Sequence, residues 1–197
     1  MIRTMWDALT VVVLLLAVLL ALLLALDRFA PALATRAGLG LERLRAGLKT
    51  GTVEVDGATI SYLHGGTGDE VLLLVHGFGA DKDNFLRVAP HLKRRFRLVA
   101  VDLPGFGEST RLTDAGYTFA EQATRLHAIA EALGLKRVHV AGSSMGGAIA
   151  MRYALQYPDE VASLWLLAPA GVEDAKDSEM IAEYRANRRC LLVANTV

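Results

Sequence analysis

The chain has 197 residues, of which 53% are hydrophobic, enough for one domain and an extension. Its 21 basic and 21 acidic residues balance, so no excess charge points to nucleic acid or to an acidic partner. A single cysteine, Cys190, excludes an internal disulfide framework.

From Ala8 to Leu26 only Thr10 is polar. At 1.5 Å per residue this run spans about 28 Å, close to the thickness of a bilayer's hydrocarbon core. Arg3 and Asp7 precede it, Asp27 and Arg28 follow it, and Trp6 sits where an interfacial aromatic would. A Leu/Val/Ala helix that is apolar on every side needs a large protein or a membrane around it. The pattern predicts one transmembrane anchor over residues 1–28. A cleaved signal peptide is the alternative, with Ala32-Leu33-Ala34 as a small-residue site, although that site lies beyond two charges. Arg28, Arg36, Arg43, Arg45 and Lys49 outweigh Arg3, which places the globular part of a single-pass protein in the cytoplasm. Cleavage would make it periplasmic or secreted instead. Residues 29–49 read as a basic juxtamembrane helix and linker, with Leu33, Leu39, Leu41, Leu44 and Leu48 set among arginines. Such a segment lies on the membrane surface or serves only as a solvated spacer.

Residues 50–172 read as the globular core. Thr52–Gly57 and Ala58–Leu63 alternate about an Asp-Gly turn and predict a hairpin. Val71–Val75 and Arg97–Asp102 are apolar without alternation, as strands buried on both faces are. Between them, Phe85, Leu86, Val88 and Leu92 suggest a helix over Asp83–Arg95 with Pro90 as an interruption. Phe119, Ala123, Leu126, Ile129, Ala130 and Leu133 form a helical stripe that stops at Gly134, and Ser163–Ala168 reads as a later strand. Buried strands alternating with amphipathic helices define the α/β class: a mainly parallel sheet with helices on both faces. Ligands of such sheets bind at the carboxyl ends of the strands, which here fall at His76, Asp102, Ser144 and Ala168.

The most informative stretch is Val138–Gly147. An apolar strand runs into Gly142-Ser143-Ser144-Met145-Gly146, and an Ala-rich helical pattern follows. A strand-to-helix turn this tight strains its central residue, with Gly142 and Gly146 providing clearance. The strain lifts the Ser144 hydroxyl clear of the sheet and leaves the Met145 N–H free at a helix N-terminus. The plainer alternative is that small residues merely let a helix pack close to a strand.

His76-Gly77-Phe78-Gly79, Asp102-Leu103-Pro104-Gly105-Phe106-Gly107-Glu108-Ser109 and Gly142–Gly147, in this order, resemble the α/β-hydrolase fold superfamily. The likeness covers about residues 50 to 172. Within it, the anchor, Gly79–Asn84 and Ala168–Gly171 resemble membrane-anchored monoacylglycerol lipases and their bacterial relatives. The resemblance implies a serine hydrolase in which Ser144 is the nucleophile and the N–H groups of Phe78 and Met145 form the oxyanion hole. It implies that His76 and Gly77 support the loop carrying Phe78, and that Asp102 holds the Pro104-Gly105 loop, a structural rather than a catalytic role. The implied partners are a lipid-like ester substrate and, through the N-terminal helix, the membrane; the sequence is silent on oligomeric state.

That family orders its triad as Ser, then acid, then His. All five histidines (His64, His76, His91, His127 and His139) precede Ser144, and His127 and His139 read as structural. Glu173 and Asp174 are weak candidates for the acid. Residues 173–197 resemble the start of a cap, with an amphipathic helix over Asp177–Arg189 and an apolar Leu191–Val193 end. The expectation is an incomplete hydrolase fold: an N-terminal fragment or truncated frame, inactive or nearly so by itself. Two alternatives stand beside the ester hydrolase, a carbon–carbon bond hydrolase of the same fold and a non-catalytic remnant. Nothing in the sequence calls for a cofactor or a metal.

Overall fold

The computed structural model describes residues 2–113 and 115–171. Glu173, Asp174, the Asp177–Arg189 helix and the Leu191–Val193 end lie outside the described residues. The chain divides into two units, Met1–Leu44 and Arg45–Val197.

The first unit is helical. Helix α1 runs Ile2–Phe29, and its Leu9–Phe29 stretch of 21 residues is long and apolar enough to cross a membrane. Leu14, Leu15 and Leu16 are 59–64% exposed, so the protein itself does not bury this apolar surface. Helix α2 spans Pro31–Ala46. The break between them follows from Pro31, which lacks an N–H and disfavours helical geometry at Ala30.

The second unit is built on a six-stranded sheet: β1 Leu48–Val55, β2 Ala58–Gly65, β3 Glu70–Val75, β4 Phe96–Val101, β5 Val138–Ser143 and β6 Val161–Leu167. Their spatial order is β1-β2-β4-β3-β5-β6. β1 and β2 form the expected hairpin, and β2 joins β4 antiparallel. Asp56 and Gly57 both have positive φ, as a two-residue primed turn requires. The hairpin is longer than its alternating stretch, and β1 begins at Leu48, before the anticipated start of the core. The strands β4, β3, β5 and β6 are mutually parallel.

Successive residues of the central strands face opposite sides, and both sides are buried. Val71, Leu73, Val75, Val99, Val101, Val138 and Val140 pack with Leu126, Ile129 and Ile149 of helices α4 (Phe119–Ala132) and α5 (Met145–Gln156). Leu72, Leu74, Leu98 and Ala100 pack on the other side with Phe85, Leu86 and Ala89. That second layer differs from expectation. The anticipated Asp83–Arg95 helix is a 3-10 turn, Lys82–Phe85, followed by one helical turn, α3, Ala89–Leu92. Pro90 can occupy only the first turn of a helix, so it starts α3 instead of lying inside a longer element. Thr118 caps α4 with a reciprocal capping box to Glu121.

Candidate active site

Strands β3, β4, β5 and β6 end at Val75, Val101, Ser143 and Leu167. Each is followed directly by one of the four residues placed at strand ends from sequence: His76, Asp102, Ser144 and Ala168. Because these strands are parallel, all four loops open on one edge of the sheet.

Ser144 stands between β5 and α5 with φ +51° and ψ −116° and is exposed. A non-glycine residue rarely holds such angles, and the surroundings fix them. The Ser144 N–H donates to Leu167 O (3.0 Å), while its carbonyl accepts from Gly147 N–H and Ala170 N–H, each at 2.9 Å. Its side chain makes no capping bond to the helix, so the hydroxyl is not committed there. Close packing explains the flanking glycines. A Cβ on Gly142 would strike the Gly146 carbonyl, and one on Gly146 would strike the carbonyls of Val75 and His76.

The His76–Gly79 loop lies against this turn. A Cβ at Gly77 would sit 3.3 Å from Ser144 Cβ and 3.9 Å from Ser144 Oγ. Among the described residues, neither the Phe78 nor the Met145 amide donates to a protein acceptor. Met145 opens the twelve-residue helix α5, whose N-terminal end favours negative charge.

The loop is braced from below. His76 is fully buried; its Nδ1–H donates to Gly77 O (2.8 Å) and its Nε2 accepts from Leu103 N–H (3.1 Å). An Nε2 that accepts carries no proton, so the ring is neutral with its proton on Nδ1. Burial acts in the same direction and lowers the pKa of His76 below the usual histidine value. The ring also meets Phe106 edge-on at 5.3 Å between centroids, and Phe106 meets Phe78 at 5.9 Å.

Sequence reasoning missed Lys82. Its side chain is 1% exposed, and Nζ lies 2.7 Å from Asp102 Oδ2 and 3.0 Å from Glu108 Oε2. Burial penalises the charged lysine, but the hydrogen bonds to Asp102 and Glu108 outweigh it and hold the pKa above the usual lysine value. Asp102, fully buried, also accepts from the backbone N–H groups of Lys82 (2.7 Å) and Glu108 (2.8 Å). Its own carbonyl accepts from Ser109 Oγ at 2.8 Å. The loop after β4 is therefore fastened at both ends to one carboxylate.

A cavity of about 540 Å³ opens beside the two free amides, lined by Phe78, Phe106, Tyr117, Phe119, Met145 and Ile149. A hollow of about 320 Å³ next to Tyr62, His64 and Arg97 includes none of the residues at the strand ends. The remaining histidines of interest are engaged elsewhere. His127 Nδ1 pairs with Glu160 (2.9 Å) and its ring stacks on Tyr157. His139 Nδ1 meets Ser163 Oγ at 2.7 Å.

A mainly parallel sheet with a strained serine at the β5–α5 turn defines a hydrolase-like architecture. Residues 70–189 match the alpha/beta hydrolase fold family, and the chain belongs to it. It is 50% identical over 109 residues to Lipase 1 of Psychrobacter immobilis, covering 55% of this chain and 34% of that protein. It is 39% identical over 116 residues to the human monoacylglycerol lipase ABHD6, covering 58% of this chain and 34% of the relative. Among solved structures, a membrane phospholipase A described as a bacterial virulence factor superposes with a TM-score of 0.76 at 44% identity, over 90% of this chain and 57% of that one. The chain thus spans about a third of the length of these curated relatives.

Proposed function

We propose that this chain carries the nucleophile half of a membrane-anchored serine hydrolase that cleaves lipid-like carboxylic esters. The observation that carries the proposal is the exposed Ser144 held at positive φ against Gly77, beside two amides without acceptors among the described residues. Ser144 Oγ attacks the ester carbonyl carbon as a general base takes the hydroxyl proton. The N–H groups of Phe78 and Met145 stabilise the oxyanion, the alcohol leaves, and water releases the acyl group from Ser144. The apolar, aromatic cavity beside Phe78 suits an acyl chain. The lipases and monoacylglycerol lipase above support the substrate class.

The 197 residues hold no histidine after Ser144, so they supply nucleophile and oxyanion donors without the triad base. Residues 1–28 act as the anchor and 29–49 as its juxtamembrane continuation, with the arginine-rich end favouring a cytoplasmic globular part. Residues 50–172 form the N-terminal part of the hydrolase core, and 173–197 begin a cap.

A serine-directed fluorophosphonate probe is expected to modify the purified chain slowly, with the adduct located on Ser144 by peptide mass spectrometry. Ser144→Ala should abolish it. An adduct that survives this substitution would remove Ser144 from the role.

A further inference from the structure

Helix α2 carries an exposed apolar stripe. Leu33, Leu41 and Leu44 are 57%, 48% and 75% exposed. At about 100° per residue these three and Ala37 fall within about 80° of arc. Arg36 and Arg43 border that stripe on one side and Arg45 on the other, while Glu42 lies on the opposite face with the half-buried Leu39. This is the arrangement of a helix sunk into an interface, with arginines reaching from its flanks to headgroups.

Two further observations point to the bilayer as the occupant. First, α1 ends at Phe29, which is 82% exposed and lies under the Arg28 guanidinium at 5.9 Å. An aromatic and a cation at the end of an apolar span mark the headgroup level, and Pro31 starts a new helix two residues later. Helix α2 therefore starts at that level. Second, Gly38 and Gly40 occur within α2, and a Cβ at either would meet nothing within 4 Å. No packing constraint explains them, and both lower intrinsic helicity. A 16-residue helix with two glycines is marginal by itself in water, and only its last residue, Ala46, is buried in the protein core.

We propose that α2 lies in the plane of the membrane surface, apolar stripe down, and binds anionic phospholipid headgroups through Arg36 and Arg45. This rests on α1 being the bilayer anchor. Three arginines against one glutamate on this helix give it the charge sign that such a surface attracts.

The test uses the full chain with Cys190→Ser, reconstituted in nanodiscs. A single environment-sensitive fluorophore is attached at Val18→Cys, Leu41→Cys or Glu42→Cys, and dibrominated lipid serves as quencher. Quenching at 41 is expected to exceed that at 42 by about threefold or more. It should be stronger with about one third phosphatidylglycerol than in pure phosphatidylcholine, and should weaken at high salt. Replacing Arg36 and Arg45 by glutamine should lower the ratio of inserted to free helix about fivefold per arginine. Equal quenching at 41 and 42 would overturn the proposal in favour of a solvated spacer. A blue-shifted but unquenched label at 41 would overturn it in favour of a protein contact, and indifference to phosphatidylglycerol would overturn the anionic binding. Absence of quenching at 18 would overturn the anchor reading and this proposal together, whereas quenching at 18 without quenching at 41 would defeat this proposal alone.

Discussion

The loops after β3 and β4 and the strand β6 lie in the same sheet and are built to different standards. In the loops, buried polar groups are paired: His76 on both ring nitrogens, Asp102 by Lys82 and two backbone amides. In β6, Trp165 and Leu166 are each 39% exposed and Leu167 52%. The contrast separates what holds the Phe78 loop in place from what lies beside Ser144. The Phe78 side of the site is held by charge and hydrogen bonding, where one missing partner leaves a buried charge stranded. The β6 side is apolar surface in contact with water, where a side chain can change at little cost.

The sharpest way to break that contrast is Asp102→Leu. It strands the Lys82 ammonium in the interior, and breaking a buried pair from one side costs about 3–5 kcal/mol. Lys82→Met should cost less, because Asp102 keeps its two backbone donors. The double variant should be more stable than Asp102→Leu alone, since no charge is then left unpaired. Urea denaturation in detergent measures all three. Additive single effects would mean that the pair does not act as a unit. Glu108 contributes little to this balance, because its side chain is 57% exposed and solvent screens the bridge.

A smaller effect is expected from pH. Burial lowers the folded-state pKa of His76 below the unfolded value near 6.5. As pH falls from about 6.5 toward the folded pKa, the unfolded chain takes up a proton that the folded chain refuses. Stability contributed by neutral His76 is therefore present above about pH 6.5 and is lost as pH falls through that window, by at most about 1.4 kcal/mol per pH unit. His76→Gln, with an amide oxygen for the Leu103 N–H, should flatten this part of the profile. An unchanged slope would show that His76 is not the group being titrated.

These two regions were also unequally legible from sequence. Val71–Val75 and Val138–Val140 are apolar at every position or nearly so, and burial on both faces is the only economical reading. Once the strands are set, the residues at their ends follow, which is why His76, Asp102, Ser144 and Ala168 could be placed together. Lys82 could not. It stands between Asp81 and Asp83, a context that reads as a solvated face, and its partner lies twenty residues away on another strand end. The one available signal was Asp102 itself, since an aspartate directly after a buried strand needs a counter-charge or several donors. The Asp83–Arg95 helix is divided at Pro90, the interruption already legible in the sequence, although apolar spacing alone suggested one longer element. The position of β6 at the end of the described sheet is a matter of strand order, which depends on pairing between distant segments.

The weakest effect on folding belongs to Leu167→Lys, and it tests the open side of the comparison. The Leu167 carbonyl, which accepts from Ser144 N–H, is main chain and survives the substitution. The side chain is more than half exposed, so little buried area is lost, and a surface change of this kind moves stability by about 0.5 kcal/mol or less. Association should respond much more. An exposed apolar strand at a sheet edge is a template for pairing with another chain, and a lysine on it opposes that pairing. Sedimentation of the detergent-solubilised chain should therefore show less self-association for Leu167→Lys than for the parent, with an unchanged urea midpoint. A large fall in the midpoint would mean that Leu167 is packed in the folded protein and that β6 is as constrained as the loops beside it.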